Sequence, residues 1–183
     1  VMTPPHRLLM HAADDIVNPA VLRALTNHLR AAPRTVPGAL GPRPLPEAFA
    51  EIWTEGTDLS VGQGLAMTVY ELRNLRHKGS APGSYRHATE TDRQLLESWT
   101  DAFFREVHSR APLGQEVGAV VRRLAQGAYR IWEHDGQPVC YVAQSRPTPT
   151  GMAINAAFTP EQLRGRGYAT SCVAALCAEI LHG

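Results

Sequence analysis

Arginine and glycine residues near the end of the chain are spaced as if to hold an anion. Arg164-Gly165-Arg166-Gly167 leads directly into an apolar stretch that predicts a helix. The start of a helix leaves about four backbone N–H groups without partners and carries a partial positive charge. No Ser, Thr, Asp or Asn stands at the expected cap position, and no acid occurs between Gln162 and Ala178. We therefore predict an anion-binding turn, with an ordinary surface helix start as the alternative.

The two glycines of this turn suit a phosphate ligand, but two familiar phosphate motifs do not fit. Gly165 permits a backbone angle that other residues avoid, and Gly167 has no side chain to hold a phosphate away. A dinucleotide-binding turn needs a third glycine where Ala169 and Thr170 stand. A Walker-type loop needs Gly-Lys followed by Ser or Thr, which this sequence lacks. The turn by itself therefore leaves the ligand open.

The elements that position the turn alternate between strand and helix. The sequence predicts strands at 85–88, 128–133, 138–145 and 152–159, and helices over about 89–107, 113–125 and 168–181. Thr89 is the expected cap of the first of these helices, and His134-Asp135-Gly136 predicts a hairpin turn. The order β-α-α-β-β-β-α indicates an α/β (α+β) fold with a hairpin-rich sheet.

The first half of the chain predicts a smaller α/β domain. Asn18-Pro19 is typical of a helix start, and a second helix is expected from Pro46. Between them, residues 31–46 are rich in Pro and Gly and predict an irregular crossing with one short strand. Residues 64–75 suit a strand. The stretch 76–85 is the expected boundary, so we predict an N-terminal domain at 1–82 and a second domain at 83–183.

Composition excludes several classes of partner and indicates a reducing environment. The chain has 183 residues, 44% hydrophobic and 19% charged, with a formal net charge of +1. Such a chain can bury a core and has no general attraction for nucleic acid or an anionic membrane. Its three cysteines form neither a disulfide set nor a zinc pattern. We therefore expect a cytoplasmic protein without a metal site.

The surroundings of the turn resemble one known family. A strand leads through Pro160 into Arg164-x-x-Gly167-x-Ala169 and then into a helix. This is similar to the acetyl-CoA-binding motif of the GNAT superfamily of N-acetyltransferases. The wider stretch 146–181 resembles a subgroup of predicted acetyltransferases with an additional N-terminal domain, and the spacing of Pro, Gly, Phe and Trp in 37–53 is similar to the N-terminal half of that subgroup. The resemblance implies a GNAT-like mixed sheet flanked by helices, and we expect the first domain to be a degenerate half of the same fold.

The resemblance also implies a set of cofactor contacts. The backbone of Ala157, Phe158 and Thr159 would pair with the pantetheine arm of acetyl-CoA as a further strand would. The amides of Arg164, Gly165, Arg166, Gly167, Tyr168, Ala169 and Thr170 would wrap the diphosphate, with Arg164 and Arg166 near the phosphates. Cys172, Val173, Leu176 and Ile180 would bury the helix against the sheet. In the family, further strands follow this helix, and we expect the natural polypeptide to continue beyond residue 183.

Catalytic residues are harder to assign than cofactor contacts. Glu106 borders the apolar face of its predicted helix, three residues from Phe103 and seven from Trp99. In a GNAT fold that helix walls the acceptor site, so Glu106 is a weak candidate for binding or deprotonating an amine. The alternative is an edge acid paired with Arg105 or Arg110. Asn155 is either a substrate contact or a satisfied amide, and the cysteines are expected in the core.

The resemblance predicts an enzyme that transfers an acetyl group from acetyl-CoA to an amine by direct attack. The acceptor would be a small molecule, a peptide or a protein, with no nucleic acid or membrane involved. The alternative is a non-catalytic acyl-CoA-binding or regulatory protein. Because the last predicted strand would have an uncovered edge, we expect either more chain or a partner, such as the second copy of a homodimer, to cover it.

Overall fold

The chain forms two compact units, Val1–Val69 and Tyr70–Gly183. The structure, a computed structural model, describes residue 2 and residues 6–13, 16–32, 35–62, 64, 66–108 and 115–182. The division between the units lies before the boundary predicted near residue 82. That the first unit is a degenerate half of the second remains a prediction.

The first unit is built from two helices and a pair of short parallel strands. Its elements are β1 (Leu8–Leu9), α1 (Pro19–Ala31), β2 (Ala39–Leu40) and α2 (Pro44–Thr54). The Asn18 side chain accepts hydrogen bonds from the N–H groups of Ala20 and Val21, which confirms the predicted helix start. Leu22, Phe49 and Ile52 lie in the buried core of this unit.

The strand predicted at 64–75 does not form. Residue 64 and residues 66–75 have no regular secondary structure, and Met67, Val69 and Tyr70 are exposed. Their residue types suit a strand, but a strand also needs a neighbour to pair with, and pairing depends on residues distant in the sequence. The local pattern was therefore insufficient, and this prediction was wrong.

The second unit confirms the predicted order of elements. It contains β3 (Ser84–His87), α3 (Arg93–His108), α4 (Gln115–Ala125), β4 (Tyr129–His134), β5 (Gln137–Thr148), β6 (Gly151–Phe158) and α5 (Tyr168–His182). Thr89 caps a short 3₁₀ turn, Glu90–Asp92, that leads into α3. Positive φ angles of 51° at Asp135 and 70° at Gly136 form the tight hairpin between β4 and β5. Residues 113 and 114, predicted as the start of the second helix, lie outside the described residues.

The second unit is a four-stranded sheet with helices on both faces. The strand order is β3-β4-β5-β6, and all three pairs are antiparallel, where the resemblance implied a mixed sheet. On one face, Leu96 of α3 and Val120 of α4 pack against Ile131 and Tyr141. On the other face, α5 packs through Cys172 and Leu176, with Val173 and Ile180 partly buried, as predicted. The α/β class and the helix-flanked sheet are therefore as expected.

A bulge in β6 interrupts the regular alternation of side chains along that strand. Ala156 lies opposite Ala143 and Ile154 opposite Gln144, so Asn155 is an extra residue between them. Ala156 packs on the α3 and α4 face, whereas Ile154 packs on the α5 face. Ile154 therefore lies on the opposite face from Ala156 and Phe158, whereas strict alternation along the strand would place all three on one face.

A charged cluster fixes the last turns of α5 to the sheet. Arg130 is 3% exposed, and its Nε donates to Glu179 Oε2 at 3.0 Å. The Tyr85 hydroxyl donates to the same carboxylate at 2.6 Å. Hydrogen bonding from Arg130, offset in part by burial, lowers the pKa of Glu179 to about 2. The carboxylate therefore stays charged and neutralises the buried guanidinium.

Candidate functional site

The end of β6 and the start of α5 are joined by a turn with two left-handed glycines. A short 3₁₀ helix, Glu161–Leu163, follows β6 and precedes the turn. Gly165 has φ +75° and Gly167 has φ +79°, which lie in the region that favours glycine. No atom outside the adjoining residues lies within 4 Å of a Cβ built on Gly165, and only Ala81 Cβ, at 3.7 Å, comes near one on Gly167. Both glycines therefore adopt a backbone angle that other residues avoid, and the space beside each of them is open.

A run of backbone donors in this turn has no protein partner. The Arg164 N–H donates to the Glu161 carbonyl, and the Ser171 N–H donates to the Gly167 carbonyl as the first hydrogen bond of α5. Among the described residues, no carbonyl or side chain accepts a hydrogen bond from the N–H groups between them, Gly165 to Thr170. These donors carry the positive end of the helix dipole. They are consequently available to an anion.

A cavity of about 470 Å³ lies alongside these donors. It brings together all ten residues predicted to contact the cofactor, from Ala157 to Thr159 and from Arg164 to Thr170, together with Glu106. Phe103, Val107 and Leu163 complete its walls. Phe103 and Val107 were not among the predicted site residues. The exposure of Val107, 48%, marks it as a cavity wall rather than a core residue.

The Phe158 side chain is buried while its strand has a free edge. Phe158 is 6% exposed, with its ring 6.0 Å from that of Trp99 and 6.2 Å from that of Tyr141. Its strand, β6, pairs with β5 on one side, and within the described residues no strand lies on the other. Backbone groups at 157–159 therefore border the cavity from an edge that is rigidly held by the aromatic cluster.

Arg164 lines the cavity and is held there by Thr159 and Glu106. Its Nε donates to the Thr159 carbonyl at 2.8 Å, and its Nη2 donates to both carboxylate oxygens of Glu106 at 2.7 and 2.9 Å. The guanidinium carbon also lies 5.8 Å from the ring centroid of Phe158. Glu106 therefore pairs with Arg164, and the expected alternative of a partner at Arg105 or Arg110 was wrong for Arg105, which pairs with Asp101. Residue 110 lies outside the described part of the chain.

The side chain of Arg166 makes fewer contacts than that of Arg164. Its side chain is exposed, and its one described contact is a long hydrogen bond of 3.5 Å from Nη2 to the Gln162 carbonyl. Little needs to be broken for this guanidinium to approach an anion at the turn. Of the two arginines, Arg166 is thus more readily available to an anion, because Arg164 must first leave Glu106.

The first turn of α5 is held by the buried ring of Tyr168 and by contacts of Ser171 with residues 79–81. Tyr168 is 3% exposed, and its ring lies 5.6 Å from that of His134. The Ser171 hydroxyl accepts a hydrogen bond from the Ala81 N–H at 3.0 Å. Gly79 passes so close that a Cβ there would lie 2.4 Å from Ser171 Oγ. The buried ring therefore holds Tyr168 in place at the point where the residue lines the cavity.

The polar and thiol candidates outside the turn have structural partners. With its amide oriented to make both hydrogen bonds, Asn155 donates to the Ala143 carbonyl and accepts from Arg123 Nη2, each at 3.1 Å. Cys140 and Cys172 are fully buried, and the pKa of Cys172 is raised by Cys140 and by burial. Burial also raises the pKa of Cys177. These thiols are therefore suited to packing rather than nucleophilic attack.

The described residues contain no group of three or more His, Cys, Asp or Glu side chains placed to hold a metal ion. In the same part of the chain, none of the helices combines the length and apolar character needed to cross a bilayer.

Comparisons with known proteins find similarity only among solved structures. No family model and no curated protein matches the chain. A GNAT family acetyltransferase from Brucella melitensis, in complex with acetyl-CoA, is 18% identical over 55% of this chain and 69% of its own, with a TM-score of 0.45. A ribosomal-protein-alanine N-acetyltransferase from the same organism is 21% identical over 52% of this chain and 65% of its own, with a TM-score of 0.42.

A third similar structure is N-acetylglutamate synthase from Neisseria gonorrhoeae, complexed with coenzyme A and N-acetyl-glutamate. It is 17% identical over 55% of this chain, with a TM-score of 0.44, and this chain spans only 23% of its length. The likeness to GNAT-family acetyltransferases therefore extends over about half of the chain and concerns its fold.

Proposed function

We propose that the second unit is an acetyl-CoA-dependent N-acetyltransferase that works by direct attack of an amine on the thioester. The observation that carries the proposal is the run of N–H groups from Gly165 to Thr170, which have no partner among the described residues. They line the same cavity as the edge of β6 that no described strand covers. The diphosphate of acetyl-CoA can accept hydrogen bonds from these N–H groups. Its arm, which contains amide groups, can pair with the free edge of β6. The cavity volume of about 470 Å³ falls in the range of small-molecule sites.

In this proposal, the protein acts chiefly by holding and orienting acetyl-CoA. The turn amides and the positive end of α5 bind the diphosphate, and Arg166 adds a mobile cation. The backbone of Ala157, Phe158 and Thr159 fixes the arm along β6, and the aromatic cluster beneath Phe158 keeps that edge rigid. Acetyl-CoA itself supplies the activated acetyl group, so orienting it toward an amine accounts for much of the acceleration.

A non-catalytic acyl-CoA-binding protein is the second candidate, and one observation favours it. Glu106 is the only carboxylate that lines the cavity within the described residues, and Arg164 occupies both of its oxygens. A base held in this way cannot take a proton until Arg164 moves. Release of free coenzyme A in the presence of a panel of amines separates the candidates: binding without turnover supports the second.

The acceptor is proposed only as a class. We expect an amine on a small molecule, a peptide or a protein, and we place the reaction in the cytoplasm because the three cysteines are free thiols. A second copy of the chain that covers the edge of β6 before Ala157, and leaves 157–159 open to the arm, is a further part of the proposal, which sedimentation of the purified protein would test.

The diphosphate site is tested by adding a side chain to the turn without changing its backbone. Gly167→Asn keeps a residue that tolerates positive φ and places an amide side chain where the phosphate would lie. We expect the Kd for acetyl-CoA, measured by calorimetry, to rise at least about tenfold, a loss of roughly 1.4 kcal/mol. The matched control is Gly127→Asn, at a glycine with φ +66° and no atom within 4 Å of a Cβ, away from the cavity. Unchanged affinity in the Gly167 variant would contradict the proposed site.

A further inference from the structure

Residues 66–75, here called the 66–75 segment, expose large apolar side chains and have no regular secondary structure. Val69 and Tyr70 are 94% and 87% exposed, and Met67 and Leu72 are exposed as well. Within the described part of the chain, no backbone N–H or carbonyl group of this segment makes a hydrogen bond. Soluble proteins seldom leave adjoining large apolar side chains open to water, so we expect a partner to cover them.

The composition of the 66–75 segment favours a strand as the form in which it is covered. Its sequence, Ala-Met-Thr-Val-Tyr-Glu-Leu-Arg-Asn-Leu, contains β-branched and aromatic residues and neither Pro nor Gly. Its one acid and one base cancel, so the segment carries no net charge. Exposed segments of this kind tend to pair with another strand through their free backbone groups. The residue types that predicted a strand at 64–75 are therefore available for pairing with another chain.

We infer that the 66–75 segment pairs in antiparallel register with the same segment of a second copy of the chain, centred on Leu72. In this register, Glu71 lies opposite the partner's Arg73, and Val69 lies opposite the partner's Leu75. Because a two-fold axis applies each of these pairs twice, two ion pairs and two apolar pairs flank the central leucines. This complementarity of the segment with itself selects a second copy as the occupant.

Charge also selects this register against its neighbours. Centring the pairs on Glu71 would place Glu71 opposite the partner's Glu71, and centring them on Arg73 would place two arginines opposite one another. Like charges directly opposite each other destabilise an antiparallel pair. Centring on Tyr70 would leave both charges opposite apolar side chains. Only the register centred on Leu72 pairs each charge with its opposite.

The free segment has little to lose on pairing. It bends at Arg73 and Asn74, where the Nε of Arg73 donates to Glu71 Oε1 at 3.0 Å. The two side chains are 79% and 70% exposed, so this ion pair contributes little to stability. When the segment straightens, each charge exchanges its neighbour for the opposite charge of the partner. The inference uses none of the residues that line the cavity beside α5 and does not depend on the proposed function.

Charge reversal tests the register. Glu71→Arg and Arg73→Glu each place like charges opposite one another, and each should raise the Kd of the dimer, measured by sedimentation equilibrium, at least about tenfold. An equimolar mixture of the two variants should associate within about threefold of wild type, because position 71 of each chain then again meets an opposite charge at position 73. Glu51→Arg makes the same change of charge at an exposed residue of α2 and should leave the Kd unchanged.

The apolar centre of the pairing is tested separately. Leu72→Asp would bring two carboxylates together on the two-fold axis and should abolish the dimer at concentrations where the wild type associates. The matched control is Leu59→Asp, at a leucine outside the segment that is 60% exposed, and it should preserve the dimer. In hydrogen exchange followed by mass spectrometry, the amides of 66–75 should exchange more slowly as the concentration of wild-type protein rises, but not in Leu72→Asp.

Several results would overturn the inference. A wild-type protein that stays monomeric at millimolar concentration would do so. A dimer that Glu71→Arg leaves intact, or that the mixture of charge variants fails to restore, would place the second copy on another surface, such as the edge of β6. Calorimetry with acetyl-CoA on the same variants reports on the proposed function independently, because a variant that loses the dimer should keep its affinity for acetyl-CoA.

Discussion

The ion pair between Glu106 and Arg164 gives a quantitative prediction about cofactor affinity. The pair is partly exposed, at 51% and 41% of the two side chains, so it contributes only about 0.2 to 1 kcal/mol to the fold. Glu106→Gln keeps the shape and one acceptor for Arg164 but removes the negative charge. The stability of the protein should therefore change little, while the electrostatics of the cavity change substantially.

The size of the effect follows from Coulomb's law. A carboxylate roughly 8 Å from a phosphate charge in water-like surroundings costs about 0.5 kcal/mol, so the two charges of a diphosphate cost about 1 kcal/mol. Neutralising Glu106 should therefore lower the Kd for acetyl-CoA about fivefold. Arg164, held less tightly by an amide, is also freed to approach the phosphates, which acts in the same direction.

Calorimetry and steady-state turnover test the reasoning together. We expect tighter binding and a kcat within about threefold of wild type, because a carboxylate bonded through both oxygens is not placed to take a proton. Asp101→Asn, which breaks the ion pair with Arg105 on the same helix, is the control and should leave the Kd unchanged. An unchanged or raised Kd would refute the electrostatic argument. A hundredfold fall in kcat would instead identify Glu106 as the base.

Two further predictions concern stability. Glu179→Gln leaves the buried Arg130 without a counter-charge and should lower the free energy of unfolding at pH 7 by about 2 kcal/mol, measured in urea. The pKa of Glu179 falls from 4.5 to about 2 on folding, so the stabilisation by its carboxylate is complete above pH 4.5 and is lost as the pH falls through 2. The free energies of unfolding of the variant and the wild type should therefore converge near pH 2. A difference that stays constant with pH would contradict this. Gly79→Ala combines a φ of +77° with a clash against Ser171 and should lower the free energy of unfolding by about 2 to 3 kcal/mol. The control Gly56→Ala, with φ +68° and no close neighbour, should lower it by about 1 kcal/mol. Equal losses would show that the contact with Ser171 is unimportant.

Local signals explain the parts of the fold that the sequence predicted. Asn18 and Thr89 cap helices through bonds to residues two or three positions away, and the Asp135-Gly136 hairpin depends on two adjacent backbone angles. The Gly165 to Gly167 turn is equally local. Such features depend on few neighbours, so residue types at fixed spacing suffice to indicate them.

Features that depend on distant residues escaped prediction. The residue types of 64–75 could not indicate that no strand in the described part of the chain pairs with this segment. The bulge at Asn155 is set by pairing with β5, and a single inserted residue moved Ile154 to the opposite face. The partner of Glu106 lies 58 positions along the chain, beyond the reach of helix periodicity, which suggested its helical neighbours instead.

The contacts of Ser171 with Gly79 and Ala81 have a consequence for the order in which the protein folds and becomes able to bind a ligand. The Ala81 to Ser171 hydrogen bond joins residues 90 positions apart, near the limits of the second unit. Closing so long a loop is entropically costly, and contacts of this range tend to form slowly. The hairpins of the sheet can form earlier. The packing beside the first turn of α5 requires the later contact between Ala81 and Ser171. In a refolding time course, native secondary structure should therefore precede the recovery of ligand binding.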